Sequence, residues 1–177
     1  MRDRIRRRTK YLTVSAMLAA LGVIILMLGS LVDVLDVTVA VLASLLGIYA
    51  VIEMGGAYPW LIWIVTSVLS MVLLPQKTPA LFYACFAGFY PIVKEKLEKL
   101  KRPIALLLKI VVFHLCLGAL VVMMRLFLPD LLDMEGLRWL PAVLYALCFV
   151  TFLLYDFALT QLITYYLVKL RKRFGMK

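Results

Sequence analysis

The sequence predicts an all-α integral membrane protein with six transmembrane helices and both termini in the cytoplasm. Of the 177 residues, 65% are apolar and 17% are charged, and the mean hydropathy is +1.01, whereas soluble domains are about half apolar and about a quarter charged. The apolar residues form six runs, and basic segments lie at both ends and in one loop. A bilayer core of about 30 Å needs about 20 apolar residues per helix, so six spans leave no room for a separate soluble domain.

Glycine and proline mark most of the predicted helix boundaries. A basic segment, residues 1–10, precedes the first apolar run, which is too long for the core of a cleaved signal peptide. Gly55-Gly56 separates the second run from the third, and Pro59 and Pro79 fall in the first turns of the third and fourth. The predicted spans are residues 11–32, 34–54, 58–74, 79–93, 103–128 and 139–170, and a basic tail, residues 171–177, follows them.

The basic residues indicate how the chain is oriented. Sixteen of the twenty lie in residues 1–10, 94–102 and 169–177, which the positive-inside rule places in the cytoplasm of a cell-membrane protein. The fourth run is short, but it must cross if residues 94–102 are to share a side with the N-terminus. The net charge of +10 is therefore assigned to topology and to anionic lipids as partners, not to nucleic acid.

The residue types that carry catalysis or bind metals are sparse. Cys85, Cys116 and Cys148 are far apart, without a CxxC pair, and the sequence has one histidine and no Walker or GxGxxG motif. We expect buried, inert thiols, no metal, no cofactor and no catalytic residue. An enzyme acting on lipid stays open as a minor alternative, with Glu53 and Lys109 as its only approximate pair.

Three ionisable residues within the predicted spans are candidates for solute binding. His114 and Asp156 are predicted at similar depths in the last two helices, so we expect them to point into the bundle and interact. They could serve a proton or ligand, or form a structural hydrogen bond. Arg125 lies on the same stripe as His114 at the outer rim, where it could bind an anionic group or pair with acids of the outer loops.

Small residues at four-residue spacing indicate close helix packing in three runs. The pairs are Ala16 and Ala20, Ala43 and Gly47, and the series Ala80, Ala84 and Gly88. Such stripes let helix backbones approach each other. They could pack within this chain or against another subunit.

The layout and the first 20 residues resemble the substrate-binding S components of energy-coupling-factor vitamin transporters. The resemblance lies in six helices, a basic start reading Arg8-Thr9-Lys10-Tyr11-Leu12, and the Ala-rich first helix. It implies that Ala16 and Ala20 dock on a transmembrane T subunit driven by two ATPases, with an outward-opening solute pocket. A bacterial six-helix membrane protein similar to these is also possible, because no vitamin-specific signature is present.

Two functions from different classes follow. The first is a membrane-embedded subunit that binds a small solute for uptake and is energised by partner subunits. Its candidate solute-binding residues are Asp33, Asp36, His114, Arg125, Trp139 and Asp156. The alternative is a non-transporting scaffold or lipid-associated protein, whose basic segments gather anionic lipid.

Overall fold

The structure, a computed structural model, describes residues 2–31, 35–127 and 140–166, and these residues are almost entirely helical. The elements in chain order are α1 (Arg2–Gly29), α2 (Asp36–Glu53), α3 (Tyr58–Leu73), α4 (Thr78–Phe82), a π-helix (Tyr83–Ala87), α5 (Tyr90–Leu97), α6 (Arg102–Phe127) and α7 (Leu140–Tyr165). The chain divides into two compact units, Met1–Leu132 and Asp133–Lys177. The first contains α1 to α6, and the described part of the second is α7.

Four of the described helices are long and apolar enough to cross a membrane. They are Ile5–Gly29, Asp36–Glu53, Pro103–Phe127 and Val143–Tyr165, and they correspond to the first, second, fifth and sixth predicted spans. The all-helical class is thus confirmed for the described residues, and their four long apolar helices are compatible with a multi-pass membrane protein. The third predicted span, α3, is a shorter apolar helix of about 24 Å at 1.5 Å per residue. Six crossings and cytoplasmic termini remain predictions.

The fourth predicted span differs most from expectation. One helix is predicted over residues 79–93, but the structure has α4, the π-helix, a turn at Gly88 and Phe89, and then α5 up to Leu97. Pro91 explains where the second half begins, because proline lacks an N–H and is tolerated only in the first turn of a helix. We call residues 78–97 the broken segment.

The predicted turn between α2 and α3 is confirmed. Gly55 and Gly56 have φ of 61° and 62°, a left-handed conformation that glycine adopts without steric cost. Pro59 follows in the first turn of α3. Backbone N–H groups in the first turn have no acceptor within the helix, so the N–H that proline lacks costs no hydrogen bond there. Two consecutive left-handed residues therefore end one helix and orient the next.

Side-chain contacts fix the directions of the helices in the first unit. The Tyr11 ring, in the third turn of α1, lies 5.4 Å from the Tyr58 ring at the start of α3. Further along both helices, Thr66 Oγ1 lies 3.5 Å from the Ala19 carbonyl oxygen. Helices α1 and α3 are therefore parallel. Ser15 Oγ, at the middle of α1, lies 3.8 Å from Sδ of Met54 just after α2, and Gly29 at the end of α1 packs against Val39 near the start of α2. Helices α1 and α2 are therefore antiparallel.

The broken segment runs antiparallel to α3 and packs against α2, α3 and α6. It is the most consistently buried part of the first unit, with Ala80, Leu81, Tyr83, Tyr90 and Lys94 each at most 1% exposed. Irregular backbone in a membrane bundle needs such shielding, because lipid offers no hydrogen bonds to free amide groups. The long helices α1 and α6, in contrast, expose large apolar side chains along much of their length.

Candidate binding site at the broken helix

The π-helix changes the backbone hydrogen bonding at the middle of the broken segment. The Gly88 amide donates to the Tyr83 carbonyl five residues earlier, at 2.8 Å. Nε1 of Trp63, in α3, donates to the Ala84 carbonyl at 3.0 Å. Short π-helices are frequent at functional sites, and here a side chain from a neighbouring helix supplies a hydrogen bond to the irregular backbone.

Gly88 allows α3 and the broken segment to approach closely. A Cβ at this position would lie 2.7 Å from both Cδ1 of Trp63 and Cζ of Tyr83, well inside van der Waals contact. Phe89 then joins Trp60 and Trp63 in an aromatic cluster whose ring centroids are 5.6 to 5.8 Å apart. Such edge-to-face and tilted pairs stabilise an interface beyond their buried area.

Buried hydroxyl groups lie beside the π-helix. The Tyr83 hydroxyl is hydrogen-bonded to the side chain of Thr66, and Thr66 in turn lies 3.5 Å from the Ala19 carbonyl oxygen. Gly22 packs against the same threonine, because a Cβ there would lie 3.1 Å from its methyl group. The polar groups of three elements thus meet at the centre of the first unit.

The end of the broken segment holds a charged cluster of two lysines and one glutamate. Lys94 is completely buried, and its Nζ lies 3.4 Å from Oε1 of Glu98, which is 39% exposed. Lys109 Nζ, from α6, lies 4.0 Å from the same oxygen. The Lys94 ammonium is also 6.0 Å from the centre of the Tyr90 ring. Lys94 lies in the last turn of α5, where the negative end of the helix dipole attracts a cation. A buried ammonium is costly unless it is compensated in this way.

The sequence predicts only a topological role for Lys94 and gives no prediction of the charged cluster. The spacing of Lys94 and Glu98, four residues apart, is a usable signal for an ion pair. The sequence Gly88-Phe89-Tyr90-Pro91 within a predicted span is a usable signal for a broken helix. Neither pattern reveals that the ammonium is fully buried, because that depends on α2 and α6.

The predicted solute-binding residues are dispersed over the described elements. His114 is exposed on α6, with Nδ1 2.8 Å from the Ile110 carbonyl oxygen, and Arg125 is exposed in the last turn of the same helix. Asp36 is the half-buried first residue of α2. Asp156 is half-buried in α7, where its carbonyl accepts a hydrogen bond from Thr160 Oγ1 at 2.9 Å. Asp33 and Trp139 lie outside the described residues, and the shared solute-binding role of the six residues stays a prediction.

The small-residue stripes differ in burial. Ala43, Gly47, Ala80 and Gly88 are buried, so these stripes pack inside the chain, whereas Ala84 is half-buried. Ala16 and Ala20 are exposed on α1. The face of α1 that packs inside the first unit instead carries a different set, namely Ser15, Ala19, Gly22, Val23 and Leu26.

The cysteines are free thiols of differing burial: Cys116 is buried, Cys85 is half-buried and Cys148 is exposed. The expectation of three buried thiols is therefore wrong for Cys148. Within residues 2–31, 35–127 and 140–166, His, Cys, Asp and Glu form no group of three that could hold a metal ion. Comparison with protein-family models, with curated proteins and with solved structures finds no match.

Proposed function

We propose that this chain is a membrane-embedded subunit that binds a small solute for uptake and takes its energy from partner subunits. The observation that carries the proposal is the broken segment, an interrupted helix buried among apolar helices. Transporters commonly bind solutes where a helix is interrupted, because the interruption leaves backbone groups and helix ends that can contact a polar ligand. The buried Tyr83 and Thr66 hydroxyls beside the π-helix are polar groups of the kind such a site uses.

The resemblance to energy-coupling-factor S components gives the proposal its partners. In that arrangement a T-type transmembrane subunit and ATPases supply the energy, and Ala16 and Ala20 form the docking face on α1. Their exposure supports this assignment, since small residues in contact with a partner helix have no packing role within the chain. Among the solute contacts predicted from the sequence, those in the described part of the first unit are Asp36, His114 and Arg125.

Purification from native membranes into nanodiscs, followed by native mass spectrometry, tests both parts of the proposal. The wild-type protein is expected to carry a small solute of discrete mass and to copurify with a T-type subunit and ATPases. The double variant Ala16→Trp and Ala20→Trp is expected to lose the partner proteins and to keep the solute, because both positions are exposed and distant from the broken segment in sequence.

Leu21→Trp is the matched control for docking. Leu21 is 48% exposed and lies about 140° around the helix from Ala16, so this variant is expected to keep both solute and partners. Equal loss of partners in Leu21→Trp would remove the docking face. A wild-type protein that brings neither solute nor ATPases would contradict the proposed function and favour the non-transporting scaffold.

A further inference from the structure

One end of the first unit gathers cations around aromatic rings. The Arg7 guanidinium lies 5.8 Å from the centre of the Tyr11 ring, which contacts Tyr58 at 5.4 Å, and the Lys96 ammonium lies 5.4 Å from the Trp60 ring. Because Tyr58 and Trp60 both belong to the first turn of α3, these contacts bring the first half of α1, the start of α3 and the end of α5 together. We call these five residues the basic end.

Positive charge dominates the exposed surface around the basic end. The exposed cations on α1 and on the chain at and just after α5 are Arg6, Arg7, Arg8, Lys10, Lys96, Lys99 and Lys101. Among the described acids nearby, Glu95 is paired with Lys99 at 2.7 Å, and Glu98 lies near Lys94 and Lys109. The surplus of exposed cations suits an anionic partner.

The surface next to the basic end is apolar. Leu12 and Met17 on α1 are 53% and 65% exposed, and Leu61 and Ile64 on α3 are 42% and 47% exposed. The three rings at the basic end are half-buried. Along α1, Tyr11 lies between the cations and the exposed apolar side chains, and along α3 Tyr58 and Trp60 precede them. Tyrosine and tryptophan take this position at a membrane interface, where the ring faces both acyl chains and headgroups.

We propose that the basic end binds anionic phospholipid. Arg7 and Lys96 contact the headgroup phosphates, the rings of Tyr11 and Trp60 lie at the level of the glycerol, and the acyl chains follow the exposed apolar side chains of α1 and α3. A soluble anion would use only the cations, whereas a phospholipid uses the cations, the rings and the apolar surface together. This inference does not depend on solute binding.

Native mass spectrometry of the full chain in nanodiscs of mixed phosphatidylglycerol and phosphatidylcholine tests the proposal. The wild-type protein is expected to retain phosphatidylglycerol in preference to phosphatidylcholine. Each cation near an anionic surface contributes about fivefold in affinity, so the double variant Arg7→Gln and Lys96→Gln is expected to bind phosphatidylglycerol about 25-fold more weakly. The double variant Arg7→Lys and Lys96→Arg keeps both charges and is expected to keep the preference.

Two controls separate this proposal from its alternatives. Lys77→Gln removes a cation beside α4, at the other end of α3, and is expected to leave lipid retention unchanged. Glycerol 1-phosphate, a soluble anion with the headgroup phosphate and no acyl chains, is expected not to displace the lipid. Equal retention of the two lipids, equal loss in Lys77→Gln, unchanged binding in the Gln variant, or displacement by glycerol 1-phosphate would each overturn the proposal.

Discussion

Lys94 lies in a fully buried position, although lysine is a residue type normally found at the surface. Its side chain is 0% exposed, and its Nζ lies 3.4 Å from Oε1 of Glu98, an oxygen that also lies 4.0 Å from Nζ of Lys109. A shared carboxylate reduces the repulsion between two ammonium groups and offsets part of the cost of burying one of them. Glu98 therefore connects α5 to α6 through charge as well as through packing.

Replacement of Glu98 tests this connection. We expect Glu98→Gln to lower the free energy of unfolding by about 1–3 kcal/mol, because a buried ammonium loses a counter-charge while solvent at the partly exposed glutamate limits the effect. Chemical denaturation in detergent, followed by circular dichroism, measures the change.

Glu95→Gln is the matched control at the same spacing. It breaks the pair with Lys99, whose side chain is 70% exposed, and exposed pairs of this kind contribute less than about 1 kcal/mol. Equal effects of the two substitutions would mean that the burial of Lys94 has no energetic consequence.

The broken segment packs against helices α2, α3 and α6 of the first unit. Its two halves meet at the π-helix and Gly88, where α3 comes close enough for Trp63 to donate to the Ala84 carbonyl. This close approach depends on the missing side chain of Gly88. The interruption is thus held by α3 as much as by the local sequence.

Gly88→Ala is expected to destabilise the protein by about 1–3 kcal/mol, as overpacking of a filled interior does. The added methyl would overlap the rings of Trp63 and Tyr83. Each ring is rigid, so the overlap is relieved only if the whole side chain or the backbone moves. Thermal unfolding in detergent, monitored by intrinsic tryptophan fluorescence, measures the loss.

Gly118→Ala in α6 provides the comparison. A Cβ there meets nothing within 4 Å, and alanine has the higher helix propensity, by about 1 kcal/mol, so this variant is expected to be unchanged or slightly more stable. If Gly88→Ala matched it, the close approach of α3 and the broken segment would be refuted.

The direction of the broken segment bears on the predicted topology of the whole chain. The contact between Lys96 and Trp60 returns the end of the broken segment to the end of the bundle at which α1 and α3 begin. This direction agrees with the predicted fourth crossing and with the basic residues of 1–10 and 94–102 sharing one side.

Labelling with a membrane-impermeant maleimide tests this topology. In a background with Cys85, Cys116 and Cys148 replaced by alanine, Gln76→Cys is expected to react in intact cells. Lys101→Cys, and a cysteine added after Lys177, are expected to react only once the cells are permeabilised. Both loop residues are exposed, so burial does not account for a difference between them.

The cysteine-free parent sets the background of the labelling experiment. Reaction of Gln76→Cys and Lys101→Cys from the same side would show that the broken segment does not cross. Reaction of the C-terminal cysteine from outside, with Lys101→Cys protected in intact cells, would mean an odd number of crossings after residue 101 and would contradict the two predicted there.

Local features of the sequence determined a large part of this architecture. Long apolar runs predict the four long helices, and Gly55-Gly56 with Pro59 predicts the turn between α2 and α3, because backbone freedom and the missing proline N–H act within a few residues. The ends of α2 and α3 fall close to those expected, at residues 36–53 against 34–54 and 58–73 against 58–74. Helix α1, in contrast, begins at Arg2 and includes the basic segment that the sequence predicts to precede the first span. The charge asymmetry is likewise a property of the chain alone.

Only the tertiary structure decided which faces are buried and where a helix is interrupted. Thr66 lies against Ala19, and Trp63 bonds to Ala84, across separations that no periodicity encodes. The small-residue stripes of α2 and of the broken segment pack inside the chain, whereas Ala16 and Ala20 are exposed. The four-residue spacing is the same in all three. Burial of Lys94 depends on side chains from other helices. The sequence therefore identifies the lysine, and only the fold shows that it is buried.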